Sequence, residues 1–156
     1  MLIVTVTIAL LVMGACNNNS GNSEQSDRKN GFSDIPKNKE DSLFQEVMEG
    51  HNIAMSRMVK ISKYLTRIQK ELDSINKLPA AKIDVKYQQA LIDLREDLNY
   101  AENGMNIWME EFKLDSAKEN KEKRIQYLES EKIKVVKVKE AILGSLQRAD
   151  SIFIKK

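Results

Sequence analysis

Cysteine, histidine and tryptophan each occur once in this chain of 156 residues, beside only two prolines and six glycines. A lone cysteine rules out an internal disulfide framework and a thiolate cluster for a metal. A lone histidine cannot supply the two Glu-x-x-His repeats of a di-iron carboxylate bundle. Neither a Ser–His–Asp set nor a glycine-rich phosphate loop after a strand is legible, so no enzymatic activity is expected. Aromatics make up 6% and charged residues 31%, which disfavours a β-rich fold and suits one small helical domain with a tail. Nor is there an excess of one charge: 25 basic and 23 acidic side chains leave a formal net charge of +2. Without a strong field of one sign, nucleic acid is not an expected partner.

What the chain does have begins with an apolar run. Residues 1–15 are almost wholly hydrophobic (Leu2-Ile3-Val4, Ile8-Ala9-Leu10-Leu11-Val12-Met13) and lead into Gly14-Ala15-Cys16. The run has the length of a signal-peptide core and is short for a bilayer span. Small residues at the two positions before Cys16, followed by Asn17-Asn18-Asn19-Ser20, resemble the lipobox of bacterial lipoproteins. That resemblance implies cleavage before Cys16 and acylation of its thiol with palmitate-type chains. Two or more such chains anchor a protein stably where one holds it only marginally. The expected location is the cell envelope, lipid-anchored and facing the periplasm rather than the cell surface.

Residues 16–40 are rich in Asn, Ser, Gly and charge and lack any hydrophobic period. Such a segment buries too little surface to offset the entropy of ordering, so a flexible tether is expected after the lipidated cysteine. At about 5–6 Å times the square root of its length, it would hold the domain roughly 25–30 Å from the membrane.

From residue 41 the pattern changes. Phe44, Val47, His51, Ala54, Met58, Ile61, Leu65, Ile68, Leu72 and Ile75 alternate steps of three and four, and Ser42-Leu43-Phe44-Gln45 fits a capping box. This predicts one helix over about 42–77, ended by Leu78-Pro79. Tyr87, Leu91, Leu94, Leu98, Ala101, Met105, Trp108 and Phe112 predict a second over about 80–113. Ser116-Ala117-Lys118-Glu119 fits another capping box, opening a third over about 117–154 on Ile125, Leu128, Val135, Val138, Ile142, Ala149 and Ile152, with Leu146 and Phe153 beside them. Short connections force neighbours to alternate direction, so the expected fold is all-α: an antiparallel up-down-up three-helix bundle of coiled-coil character spanning 41–156. Ile53, Ile107 and Ile133 fall outside the core spacing and would leave an apolar edge for a homodimer.

A hairpin pivoting at Pro79 brings His51 beside Ile107-Trp108, and sets Gly50 opposite Gly104. Met48, Met55 and Met58 accompany His51, and Met105 and Met109 flank Trp108, so every methionine after Cys16 converges there. Thioethers suit Cu(I), neutral imidazole binds copper too, and an indole face can cover a cation. The ligand types resemble those of periplasmic copper chaperones, a likeness of chemistry and not of fold. The plainer expectation is that methionine fills the core or forms a pliable contact for an envelope protein.

From the lipobox through EVMEGHNIAMSRM and MNIWMEEF to YLESEKIKVVKVKEAILGSL, the chain resembles small helical lipoproteins of Bacteroidetes-type bacteria, sometimes labelled "viral A-type inclusion protein". The resemblance implies no activity for any residue. The sequence therefore points first to a tethered helical interaction module without a cofactor. Its alternative is a small Cu(I)-handling protein using His51, Met55, Met58 and Met105 under Trp108.

Overall fold

A computed structural model describes residues 35–154; the expected signal peptide, Cys16 and tether residues 17–34 lie outside the described residues. Among the described residues the fold is all-α, with no strand. It comprises α1 (Lys39–Met55), α2 (Met58–Ile75), α3 (Val85–Glu111) and α4 (Lys121–Ile154), with one 3-10 turn at Ala80–Lys82. No helix among them is long and apolar enough to cross a membrane.

The heptad positions become the core. Val47, Ala54, Ile61, Ile68, Leu91, Leu94, Leu98, Met105, Val135 and Ile142 are all buried, with Leu65, Tyr87, Phe112 and Val138 packed partly buried against them. Burying one such leucine or isoleucine contributes about 1.5–3 kcal/mol, so the repeating stripe outweighs the modest propensity of a charge-rich chain.

Ion pairs record the relative direction of the helices. Lys39 meets Glu129 at 2.7 Å and Lys60 meets Asp150 at 2.9 Å, so α1 and α2 run the same way as α4. Asp97 pairs with Arg148, and Phe112 stacks on Tyr127 with ring centres 6.1 Å apart, so α3 runs against α4.

Several helix ends differ from the sequence expectation. The first helix begins at Lys39, within the segment expected to be tether, because Asn38 caps it: its side chain accepts from the Asp41 N–H at 3.0 Å. Ser42 is already inside the helix and bonds Glu46 instead. The expected single helix over 42–77 is also broken after Met55. The Ser56 hydroxyl donates to the Ile53 carbonyl at 2.7 Å, and the Arg57 N–H turns to the Ala54 carbonyl at 2.9 Å. Ser130 and Ser145 make the same hydroxyl-to-carbonyl bond inside the unbroken α4, so at Ser56 the bond accompanies the interruption, which has no proline or glycine in it.

The third expected helix starts late. Ala117 has a left-handed backbone, with φ 56°, which no helical run can contain, and the Ser116 carbonyl accepts from Arg124 at 2.9 Å. Asn120 supplies the start instead, its side chain accepting from the Lys123 N–H at 3.0 Å. Asp84 does the same for α3, accepting from the Tyr87 N–H at 3.1 Å, so this helix starts at Val85, later than the expected start near residue 80.

Candidate functional site

The expected hairpin register is present where it was most informative. The His51 ring lies 5.6 Å from the Trp108 ring, tilted by 38°, as the Pro79 pivot requires. Trp108 in turn stacks on Phe112 at 4.9 Å, and Phe112 on Tyr127, so a run of aromatic rings crosses from α1 through α3 to α4. His51 sits about three helical turns along from Glu40, the residue that marks the α3–α4 loop level by bonding Arg124. The site is therefore a girdle about three turns from the start of α1 that takes in Trp108 and Met109 from the last turn of α3.

The methionines do not share one environment. Met105 is fully buried and Trp108 is 4% exposed, both within the main core, and Met58 packs partly buried against it. Met48 is partly buried. Met55 and Met109 are exposed at 36% and 37%, beside Ile53 and Ile107 in the sequence, which are exposed as well. The His51 Nδ1 is 3.0 Å from the Asn52 side-chain oxygen. Among the described residues, no group of three or more His, Cys, Asp or Glu side chains could hold a metal ion. Cys16, the expected lipidation site, lies outside the described residues.

The two glycines expected to face each other instead face α4. A Cβ on Gly50 would stand 3.0 Å from Val135 Cγ1, and one on Gly104 would stand 3.7 Å from Val138 Cγ2. Only at Gly50 does the absent side chain serve a close approach of α4; at Gly104 a Cβ would make an ordinary contact.

Sequence reasoning missed two buried charges. Glu131 is 2% exposed and Arg124 4%. Arg124 is well satisfied: Nε donates to Glu40 at 3.2 Å, Nη1 to the Ser116 carbonyl, and its guanidinium lies over Tyr127 at 5.7 Å. Glu131 is only half satisfied. One oxygen accepts from Lys134 at 2.9 Å, a bond that holds the Lys134 ammonium above the usual lysine range, while Oε2 has no partner. The Trp108 indole N–H is likewise buried without a partner. Trp108 precedes Phe112 by one turn and Glu131 follows Tyr127 by one turn on an antiparallel neighbour, so the unmet donor and the unmet acceptor share a level. A signal for Glu131 was present: from Leu128, steps of three and four land on Glu131, Val135, Val138 and Ile142 without a slip.

What these residues offer chemically is a half-apolar, half-polar contact surface around one indole, with thioethers on both sides of the core boundary. No protein-family model, curated protein or solved structure gives a significant match to this chain.

Proposed function

We propose that this chain is a bacterial lipoprotein, anchored through an acylated Cys16, whose up-down-up three-helix bundle of coiled-coil character serves as a binding module in the periplasm-facing cell envelope. The lipobox-like Gly14-Ala15-Cys16 and the polar segment after it support the anchoring half of this reading. The observation that carries the binding half is the apolar surplus at the girdle. Ile53, Met55, Ile107 and Met109 are each more than a third exposed although Met105 and Trp108 already fill the core there. Exposed methionine beside isoleucine suits a pliable apolar contact.

Cell fractionation of the full chain and its Cys16→Ser variant tests the anchor. The wild type is expected in the membrane fraction as a cleaved form that takes up labelled palmitate, and the variant as an uncleaved precursor that takes up none; equal size and equal labelling of the two would overturn it.

A second reading, Cu(I) handling, is favoured by one observation, the His51 imidazole set against the Trp108 ring. An anaerobic Cu(I) titration against a chelator, read by Trp108 fluorescence, decides it. Stoichiometric binding lost in His51→Ala with Met55→Leu would establish this reading, and failure to compete with a weak chelator would dismiss it.

A further inference from the structure

A groove runs between α1 and α4. It encloses about 250 Å³, and its floor and walls include Gly50, Ile53 and Val136. Glu46 and Glu49 stand on the α1 lip, Lys132 and Lys139 on the α4 lip. Glu46 and Lys132 pair with each other across it, while Glu49 and Lys139 make no ion pair. Both line the same groove: Gly50, next to Glu49, meets Val135, one turn before Lys139, so the two charges lie about one turn apart in height, within the reach of their long side chains.

Charges of opposite sign thus face each other across the groove at Glu46/Lys132 and Glu49/Lys139, and beyond its two ends the pairs Lys39/Glu129 and, from α2, Lys60/Asp150 also join acid to base. This has a symmetry consequence. A two-fold axis laid along the helices and over the groove places α1 of one copy on α4 of the other at unchanged height. Each acid then meets the base it already faces within its own chain, and the groove walls meet each other. An axis across the helices would instead lay α1 on α1, with glutamates opposed or out of register. The surface complementary to this face is therefore the same face on a second copy.

We propose that the partner of the module is a second copy of this chain, docked in parallel through the α1–α4 groove, with Glu49 of each copy on Lys139 of the other. The inference rests on the tethered-module reading in one respect. A parallel pair brings both N-terminal ends of α1 to one side, as two tethers rooted in one membrane require.

Charge exchange tests it. The full chain in detergent, followed by native mass spectrometry and sedimentation across concentration, is expected to dimerise. Glu49→Lys and Lys139→Glu are each expected to weaken the dimer by roughly tenfold or more, since each sets like charges against one another at two places. Mixing the two single variants restores both attractive contacts, and so does the double variant on its own. Recovery on mixing also shows that the single variants are folded. A wild type that stays monomeric, single variants that dimerise as well as the wild type, or singles that fail to recover when mixed while remaining helical by circular dichroism would each overturn the proposal. Fractionation of the same preparations reports on the anchor independently, so loss of one reading is not mistaken for loss of the other.

Discussion

Gly50 of α1 and Val135 of α4 approach so closely that a Cβ on the glycine would sit 3.0 Å from the valine Cγ1. Val135 is fully buried and stiff at χ1, so it has little room to give. Alanine in place of a helical glycine gains about 1 kcal/mol of propensity, but overpacking a closed core costs about 1–3 kcal/mol. Gly50→Ala is therefore expected to lower stability by about 1 kcal/mol. Gly144 has open space around it, and Gly104 only an ordinary contact at 3.7 Å. Gly144→Ala and Gly104→Ala are expected to raise stability by up to about 1 kcal/mol each. Urea unfolding midpoints of the three variants check the contrast, and a stabilised Gly50→Ala would contradict the close approach.

The unpaired Glu131 oxygen inside the core leads to a second expectation. A buried, partly satisfied carboxylate is a cost that an apolar side chain of similar size removes, while Lys134, half exposed, stays solvated without its partner. Glu131→Leu is expected to stabilise the fold by about 1–2 kcal/mol. Glu131→Ala leaves a cavity as well and should show a smaller gain or a loss. Thermal melts of both variants decide; clear destabilisation by both leucine and alanine would show that the carboxylate has a partner it cannot spare.

At the opposite side of α4, Asp150 accepts from the Tyr64 hydroxyl and pairs with Lys60. The hydrogen bond from Tyr64 first, and Lys60 after it, hold this carboxyl below the ordinary aspartate value of 3.8, while the same bond raises the Tyr64 phenol above its own. A lowered carboxyl favours the fold fully above the unfolded value and loses that contribution as pH falls through the folded one. Asp150 is partly solvated, so the contribution is expected to be about 0.5–1 kcal/mol. Asp150→Asn should be less stable than wild type at pH 7 by that amount, and the gap should close as the pH drops below 3.8. A gap that persists unchanged at low pH would assign the effect to packing.

The break after Met55 carries one side-chain bond that can be removed, from the Ser56 hydroxyl to the Ile53 carbonyl. Without the Ser56 hydroxyl, the Ile53 carbonyl is free for the Arg57 N–H, and alanine is the better helix former. Ser56→Ala is expected to join α1 to α2, slow amide exchange at Arg57 by about tenfold and add about 0.5 kcal/mol of stability. Unchanged exchange at Arg57 would place the cause elsewhere.

These particulars also mark what was legible beforehand. The heptad from Phe44 to Ile75 and that from Tyr87 to Phe112 led directly to the buried faces, because burial selects one stripe and little else competes. The Pro79 pivot put His51 on Trp108, since a short hairpin leaves one register. Helix ends were less visible. Ser42 and Ser116 both fit a cap by spacing, yet Asn38 and Asn120 cap the helices, because several polar residues near each start could serve and tertiary bonds such as Arg124 to Ser116 choose among them. The interruption at Ser56 had no proline or glycine to announce it. Around the girdle, spacing showed that the methionines converge in height but not which would be covered: Met105 lies on the core stripe, whereas Met55 and Met109 lie beside it. Glu131 was hidden by its charge although it kept the period.

The account depends most on Cys16, and the mass of the protein recovered from its host's membranes tests that residue directly. The account predicts a chain that lacks residues 1–15, begins at Cys16 and carries at least two fatty acyl chains there. A mature protein that retains Met1, or that begins elsewhere with an unmodified Cys16 thiol, would contradict it.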